Sequence, residues 1–312
     1  MESELVVFSG SSNRPLAESI CRYVDAPLGK ATVTQFKDGE TRVEIEKNVR
    51  GRDVFIVQST SRPANHHIME CLIMADACRR ASAQRITLVC PYFGYARQER
   101  KASPRTPITA KLVADLFTAA GFDRLLTFEL HTSAIQGFFN IPVDHLFVKP
   151  VFADYFRNPA DDLIVVSPDA GGVERARAMA KHFNCGLAIV DKRRDRPNES
   201  SVMHIIGDVT GKSALLVDDM CDTGGSLTKA AHALSEAGAK SVSAAVSHAV
   251  LSDKAVEQIN ASVLKELVVT DSIMLTAEAA KCPKIVQLSI AEIMGKAIRR
   301  IHNSESVSSL FI

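Results

Sequence analysis

At 312 residues the chain is long for a single core and comfortable for two α/β domains. Hydrophobic residues make up 46% and charged residues 23%, and 37 Lys plus Arg against 36 Asp plus Glu leave a formal charge of +1, so the basic surplus of a nucleic-acid binder is missing. The seven cysteines contain no C-x-x-C pair, which points to free thiols in a reducing compartment. Met1-Glu-Ser-Glu has no basic n-region and no apolar run exceeds strand length, so neither a signal peptide nor a membrane span is expected, and the expected setting is cytoplasmic.

In chain order, Leu5–Phe8, Asp53–Gln58, Ile86–Cys90 and Arg124–Phe128 read as strands in the first half. Leu163–Ser167, Leu187–Val190, Ala214–Val217, Val242–Ser247 and Glu266–Thr270 read the same way in the second. Several are apolar without alternation, the pattern of strands buried on both faces of a parallel sheet. Helical patterns lie between them. After Pro107, residues Ile108, Leu112, Val113, Leu116 and Ala120 fall at helical spacing with Gly121 at the cap. Leu227, Ala230, Ala231 and Leu234 repeat the pattern, with Gly238 as the stop. The alternation predicts an α/β fold with two similar domains, 1–148 and 149–312, each a parallel sheet flanked by helices, the seam lying near Lys149-Pro150 and the last helix a candidate to pack back on the first domain.

The sharpest local signal runs from Ala214 to Ser226 and leads into a helix. Asp218 and Asp219 are expected at the end of a buried strand, where ligands bind in such sheets and where two acids face sugar hydroxyls. Asp222, Thr223, Gly224, Gly225 and Ser226 then supply close backbone approach, hydroxyls and free N–H groups at a helix start, a cradle for one phosphate. A plain β–α turn accounts for Gly224-Gly225 but not for two adjacent acids. This stretch resembles the phosphoribosyl-pyrophosphate loop of the type I phosphoribosyltransferase fold, which transferases and pyrophosphokinases share.

Further segments narrow the reaction. They are Phe36-Lys-Asp38-Gly39-Glu40; Pro91 to Lys101, with Arg97, Gln98 and Arg100; Glu129-Leu-His131 with Gln136; Ser167-Pro-Asp169-Ala-Gly-Gly172; Asp191-Lys192-Arg193-Arg194; and the tail from Ala297. Together, in order and at these spacings, they resemble the phosphate-regulated class of ribose-phosphate pyrophosphokinases over nearly the whole chain. The resemblance implies transfer of the β,γ-diphosphate of ATP to the C1 hydroxyl of ribose 5-phosphate, giving phosphoribosyl pyrophosphate and AMP for nucleotide, histidine and tryptophan biosynthesis. It also implies Mg2+ held by His131 and Asp169, an oxygen-rich site suiting that ion. Lys192 and Arg194 match a mobile catalytic loop that stabilises charge on the transferred group, with Arg194 also reaching ribose 5-phosphate. Asp38, Gly39 and Glu40 match adenine-side ATP contacts delivered across a subunit interface, Phe36 suits stacking on the base, and Arg97 and Gln98 match further ATP contacts. Arg105 falls where a polyphosphate contact is expected. A homohexamer built from dimers, activated by inorganic phosphate through Arg50, Ser82 and Ser306 to Ser308, is implied in the same way; no partner nucleic acid or membrane is.

Other features read as bland. Gly207 to Ser213 nearly spells a Walker A loop, but it has three residues between its glycines, where the motif needs four, and it precedes a strand. His66-His67 are adjacent on a helix, so a shared metal is not expected. Cys221 has no base beside it in sequence and reads as a tolerated side chain. Asn65-His66-His67 replaces the family's frequent Asn-Asp-Asn before a helix expected to enter at Met69, Glu129 and Glu99 replace Asp, Thr132 replaces a smaller residue, and Ser226 replaces Thr with its hydroxyl kept. Three rivals share the loop. A phosphoribosyltransferase has no use for Phe36–Glu40, a non-catalytic associated subunit would lack Lys192, Arg194 or Asp169, and a repressor needs a DNA-binding module.

Overall fold

A computed structural model describes residues 4–193 and 202–310. By its internal contacts the chain divides into two compact units, one made of 1–147, 272–274 and 289–312, the other of 148–271 and 275–288.

The first unit begins with β1 (Leu5–Ser9) and α1 (Arg14–Val24), whose entry is capped by Asn13 Oδ1 accepting from Leu16 N at 3.3 Å. β2 (Ala31–Gln35) and β3 (Thr41–Ile45) form an antiparallel hairpin of their own. Then follow β4 (Asp53–Val57), α2 (Ala64–Arg80), β5 (Arg85–Cys90), α3 (Thr109–Ala120), β6 (Arg124–Phe128) and β7 (Val143–Leu146). The sheet order is β1-β4-β5-β6-β7, all parallel. β4 is buried at every position, as an apolar run covered on both faces must be.

α3 departs from the expected stripe. Ile108, Leu112 and Leu116 are 37%, 57% and 40% exposed, while Ala110, Val113, Ala114 and Phe117 face the core. Both sets have helical spacing, so periodicity alone did not choose between them. Phe117 decides it, because its ring packs edge-on against Phe93 and Phe122. α2 also starts earlier than expected, at Ala64 rather than Met69, which places His66 and His67 inside its first turns.

The second unit runs α4 (Lys149–Tyr155), β8 (Leu163–Ser167), α5 (Val173–Phe183), β9 (Gly186–Arg193), β10 (Val202–Ile206), β11 (Ser213–Cys221), α6 (Gly225–Glu236), β12 (Ser241–Ala249), α7 (Ala255–Ala261), β13 (Leu267–Thr270) and β14 (Ile285–Leu288). Its sheet order is β10-β9-β8-β11-β12-β13-β14, parallel except for the β9–β10 pair. The chain moves outward from β8 to β9 and β10 on one side, then crosses back to lay down β11 on the other. That reversal between β8 and β11 is a topological switch point, the place where open α/β sheets leave a crevice at their carboxyl ends. The final helix, α8 (Ala291–His302), belongs to the first unit and packs on α1.

Candidate active site

The loops that follow β8 and β11 flank the switch point. Asp169 sits in the β8–α5 loop, its Oδ1 accepting from Gly171 N at 2.8 Å and Gly172 N at 3.1 Å. The two N–H donors hold the carboxylate in place. Gly172 has no room for a larger residue, since a Cβ there would lie 2.9 Å from Ser167 Oγ and 3.7 Å from Asp218 Oδ1. The absent side chain is what lets the Asp169 loop and the Asp218 strand approach each other.

Asp218 and Asp219 were expected at a strand end, yet β11 continues through Cys221. The reason lies in the neighbours. β8 stops pairing at Leu216, whereas β12 continues alongside to Cys221, so the acids project beyond β8 while Asp218 stays paired with Val246 of β12. They are at the crevice, but on rigid strand rather than loop. Asp219 is only 4% exposed. Arg175 of α5 reaches both, with Nη1 3.7 Å from Asp218 Oδ1 and 3.7 Å from Asp219 Oδ1. Burial, and then the neighbouring Asp219 charge, push the Asp218 carboxyl up to about 7. Sequence reasoning missed Arg175, and no local motif marks it; only the fold brings that helix turn beside the strand.

Beyond Cys221 the backbone turns into α6. Gly224 has φ +79°, a left-handed conformation that costs an L-residue strain, and a Cβ there would meet the Ala255 carbonyl at 3.4 Å. Asp222 is braced by Ser252, whose hydroxyl donates to Asp222 Oδ1 and whose N–H donates to the Asp222 carbonyl at 3.0 Å. Gly225, Ser226 and Leu227 open the helix, so their N–H groups are among those without an intrahelical acceptor, and Thr223 and Ser226 are exposed beside them. This arrangement suits one phosphate. Cys221 is buried and its thiol is pushed up to about 12 by burial first, which leaves it inert as a nucleophile.

The backbone of Lys192 lies within β9, opposite Met203 of β10, rather than in a loop after the strand. Arg194 lies outside the described residues.

The first unit carries the other candidates. Phe36, Asp38, Gly39 and Glu40 form the tip of the β2–β3 hairpin. Phe36 N donates to the Glu40 carbonyl at 2.8 Å, and Glu40 N donates to Asp38 Oδ1 at 3.1 Å. Ala31, Val33, Val43 and Ile45 seat the hairpin on the core, which leaves Phe36 51% exposed with the Arg42 guanidinium 6.0 Å from its ring centroid. The alternating Ala31-Thr-Val-Thr-Gln35 and Thr41-Arg-Val-Glu-Ile45 around Asp38-Gly39 is a hairpin signal that the sequence reading passed over. Arg97 and Gln98 are exposed in the β5–α3 loop, where the Gln98 carbonyl accepts from Ala110 N at 3.2 Å. His131 is exposed beyond β6, after Glu129, which has φ +41° and donates its N–H to the Leu146 carbonyl at 2.8 Å.

A magnesium ion fits this donor set. Among the described residues no three His, Cys, Asp or Glu side chains converge into a metal cage. Mg2+ takes one or two carboxylates and completes its shell with water and substrate phosphates, and the exposed, backbone-anchored Asp169 offers such a carboxylate.

Comparison with known proteins agrees with this layout. The family model described as the N-terminal domain of ribose phosphate pyrophosphokinase matches residues 5–121, and the phosphoribosyl synthetase-associated domain matches 194–312. The ribose-phosphate pyrophosphokinase of Agrobacterium fabrum is 58% identical over 307 residues, covering 98% of this chain and 99% of that one. That of Rhizobium meliloti is 59% identical with the same coverage. The crystal structure of phosphoribosylpyrophosphate synthetase from Mycobacterium smegmatis superposes with a TM-score of 0.92 at 39% identity, covering 97% of this chain and 100% of that one. Relatives this similar along their whole length leave one conclusion: the chain belongs to the ribose-phosphate pyrophosphokinase family.

Proposed function

We propose that the chain transfers the β,γ-diphosphate of ATP to the C1 hydroxyl of ribose 5-phosphate, releasing phosphoribosyl pyrophosphate and AMP. The observation that carries the reading is the paired acids Asp218 and Asp219 at the β8–β11 switch point, beside the open N-terminus of α6. In this reading the 5-phosphate lies on the N–H groups and hydroxyls from Asp222 to Ser226, and Asp218 and Asp219 accept from the ribose hydroxyls. The sugar is thereby oriented with C1 towards the donor, the positioning that a diphosphoryl transfer needs most. Phe36, Asp38, Gly39, Glu40, Arg97 and Gln98 hold ATP. Lys192 and Arg194 place positive charge on the transferred group and on the departing AMP, which accelerates the reaction because that charge grows in the transition state. Asp169 in the second unit and His131 in the first are the candidate Mg2+ ligands, and the ion would neutralise the polyphosphate and make its β-phosphorus a better electrophile.

The finer features belong to the same proposal: two phosphoribosyltransferase-like domains, a cytoplasmic homohexamer built from dimers, and activation by inorganic phosphate. Arg50 Nη1 is 3.3 Å from Ser82 Oγ, and Ser306 Oγ is 3.1 Å from Ser308 Oγ; all four residues are in the first unit, with Arg50, Ser82, Ser306 and Ser308 exposed and able to take an anion.

The test is AMP release from ATP with Mg2+ and phosphate, with and without ribose 5-phosphate, and after chelation by EDTA. AMP that forms only with sugar and metal supports the reading. Consumption of phosphoribosyl pyrophosphate with a base, in the absence of AMP release, would assign the chain to base transfer instead.

A further inference from the structure

The hairpin tip is short and exposed, so something must hold its base if it is to present Phe36 in one orientation. Gln35, the last residue of β2, pairs across the hairpin with Thr41 and immediately precedes Phe36. Its Nε2 lies 3.2 Å from His66 Nδ1. His66 Nε2 in turn lies 3.0 Å from Glu70 Oε1, one helical turn further along α2. Glu70 is 1% exposed. Its Oε2 accepts from Ser11 N at 3.1 Å, from Ser11 Oγ at 2.8 Å, and from Gln58 Nε2. Glu70 therefore gathers the loop after β1, the residue after β4 and helix α2 at the carboxyl end of the first sheet. An exposed i,i+4 pair contributes little, but a carboxylate this deeply buried needs donors on both oxygens. His66 is accordingly fixed at Nε2. Because Gln35 Nε2 can only donate, the pattern assigns the imidazole proton to Nε2 and leaves Nδ1 as the acceptor.

We infer that His66 is a positioning residue for the donor-nucleotide tip, linking the buried Glu70 hub through Gln35 to the backbone of Phe36. The inference rests on the reading that the tip takes ATP. It gives a role to a position where this chain carries His, and it separates the two histidines. His67 Nδ1 instead meets the Ser61 carbonyl at 2.8 Å and serves the loop after β4.

The test compares Gln35→Leu, His66→Leu and His66→Gln with the intact enzyme, using Phe36→Ala as a control for the nucleotide reading. Loss of one positioning hydrogen bond raises the KM for ATP by about fivefold in Gln35→Leu and His66→Leu. The kcat and the KM for ribose 5-phosphate stay within about twofold of the starting values. His66→Gln can donate to Glu70 and accept from Gln35, so it restores the ATP KM. Hydrogen exchange quickens at Phe36 and Gly39, whose N–H groups bond within the tip, and is unchanged in β4 and β5. Gln35→Leu leaves Glu70 untouched, so its result stands even if His66→Leu folds poorly. If Phe36→Ala raises the ATP KM while Gln35→Leu changes neither that KM nor exchange at the tip, the positioning role is wrong and the nucleotide reading survives. If Phe36→Ala leaves the ATP KM unchanged, the tip does not bind the nucleotide and both fall.

Discussion

Replacing Asp218 by Asn tests whether the proposed sugar site stores an electrostatic penalty in the free enzyme. Burial and Asp219 raise the Asp218 carboxyl to about 7. In the unfolded chain an Asp titrates near 3.9. The folded state thus holds a proton that the unfolded state has already lost between about pH 4 and pH 7. A folded pKa raised in this way gives its full stabilisation below the unfolded value and loses it as pH rises through the folded one. Each pH unit of difference amounts to about 1.4 kcal/mol, so the upper bound is ~4 kcal/mol. The side chain is 23% exposed, so solvent screens part of this penalty. We expect about 2 kcal/mol to be measurable once that screening is allowed for. The assay is urea unfolding of wild type and Asp218→Asn at intervals from pH 4 to 8. The two proteins match near pH 4, the variant gains relative stability progressively between about pH 4 and pH 7, and the difference is constant above that. The variant binds ribose 5-phosphate more weakly throughout, because an amide cannot replace the carboxylate as a double acceptor for sugar hydroxyls. A stability difference that is flat with pH, or that grows as pH falls, would refute the reasoning.

Three further outcomes follow from the site. Gly224→Ala places a Cβ 3.4 Å from the Ala255 carbonyl at φ +79°, so it costs about 1–2 kcal/mol in thermal or urea unfolding and weakens ribose 5-phosphate binding in calorimetry. Lys192→Ala lowers kcat by about a thousandfold while the KM values move little, as expected of a charge that acts mainly in the transition state, and steady-state kinetics with both substrates reads it. Arg50→Ala removes activation by inorganic phosphate without removing basal turnover; an enzyme already fully active in phosphate-free buffer would count against the regulatory reading.

Much of the fold was legible because it is local, and so was the run of candidate site residues that are consecutive in the chain. Several of the strands read between Leu5 and Thr270 are apolar runs without alternation, and every one read from the sequence is present, most with shifted ends. The weaker elements escaped for physical reasons. β7, β10 and β14 are short runs broken by polar residues, Asp144 and His145, His204, and Gln287, and the β2–β3 hairpin was overlooked despite its alternation. The stripe on α3 was misjudged because Leu112 and Leu116 have the same spacing as the residues that face the core.

The linear chain by itself marked the candidate phosphate cradle and the family, since Asp218 to Ser226 carries its proposed chemistry in consecutive residues and needs no partner from elsewhere to be read. Tertiary structure alone decided what surrounds it. The sheet order puts the reversal between β8 and β11, the bare Gly172 lets the Asp169 loop close on Asp218, and α5 brings in Arg175. It also decided that Glu70 is buried with Ser11 and Gln58 while His66 faces Gln35, pairings that span up to 59 residues. A motif is local chemistry, whereas desolvation and charge pairing depend on which distant residues the packing brings together.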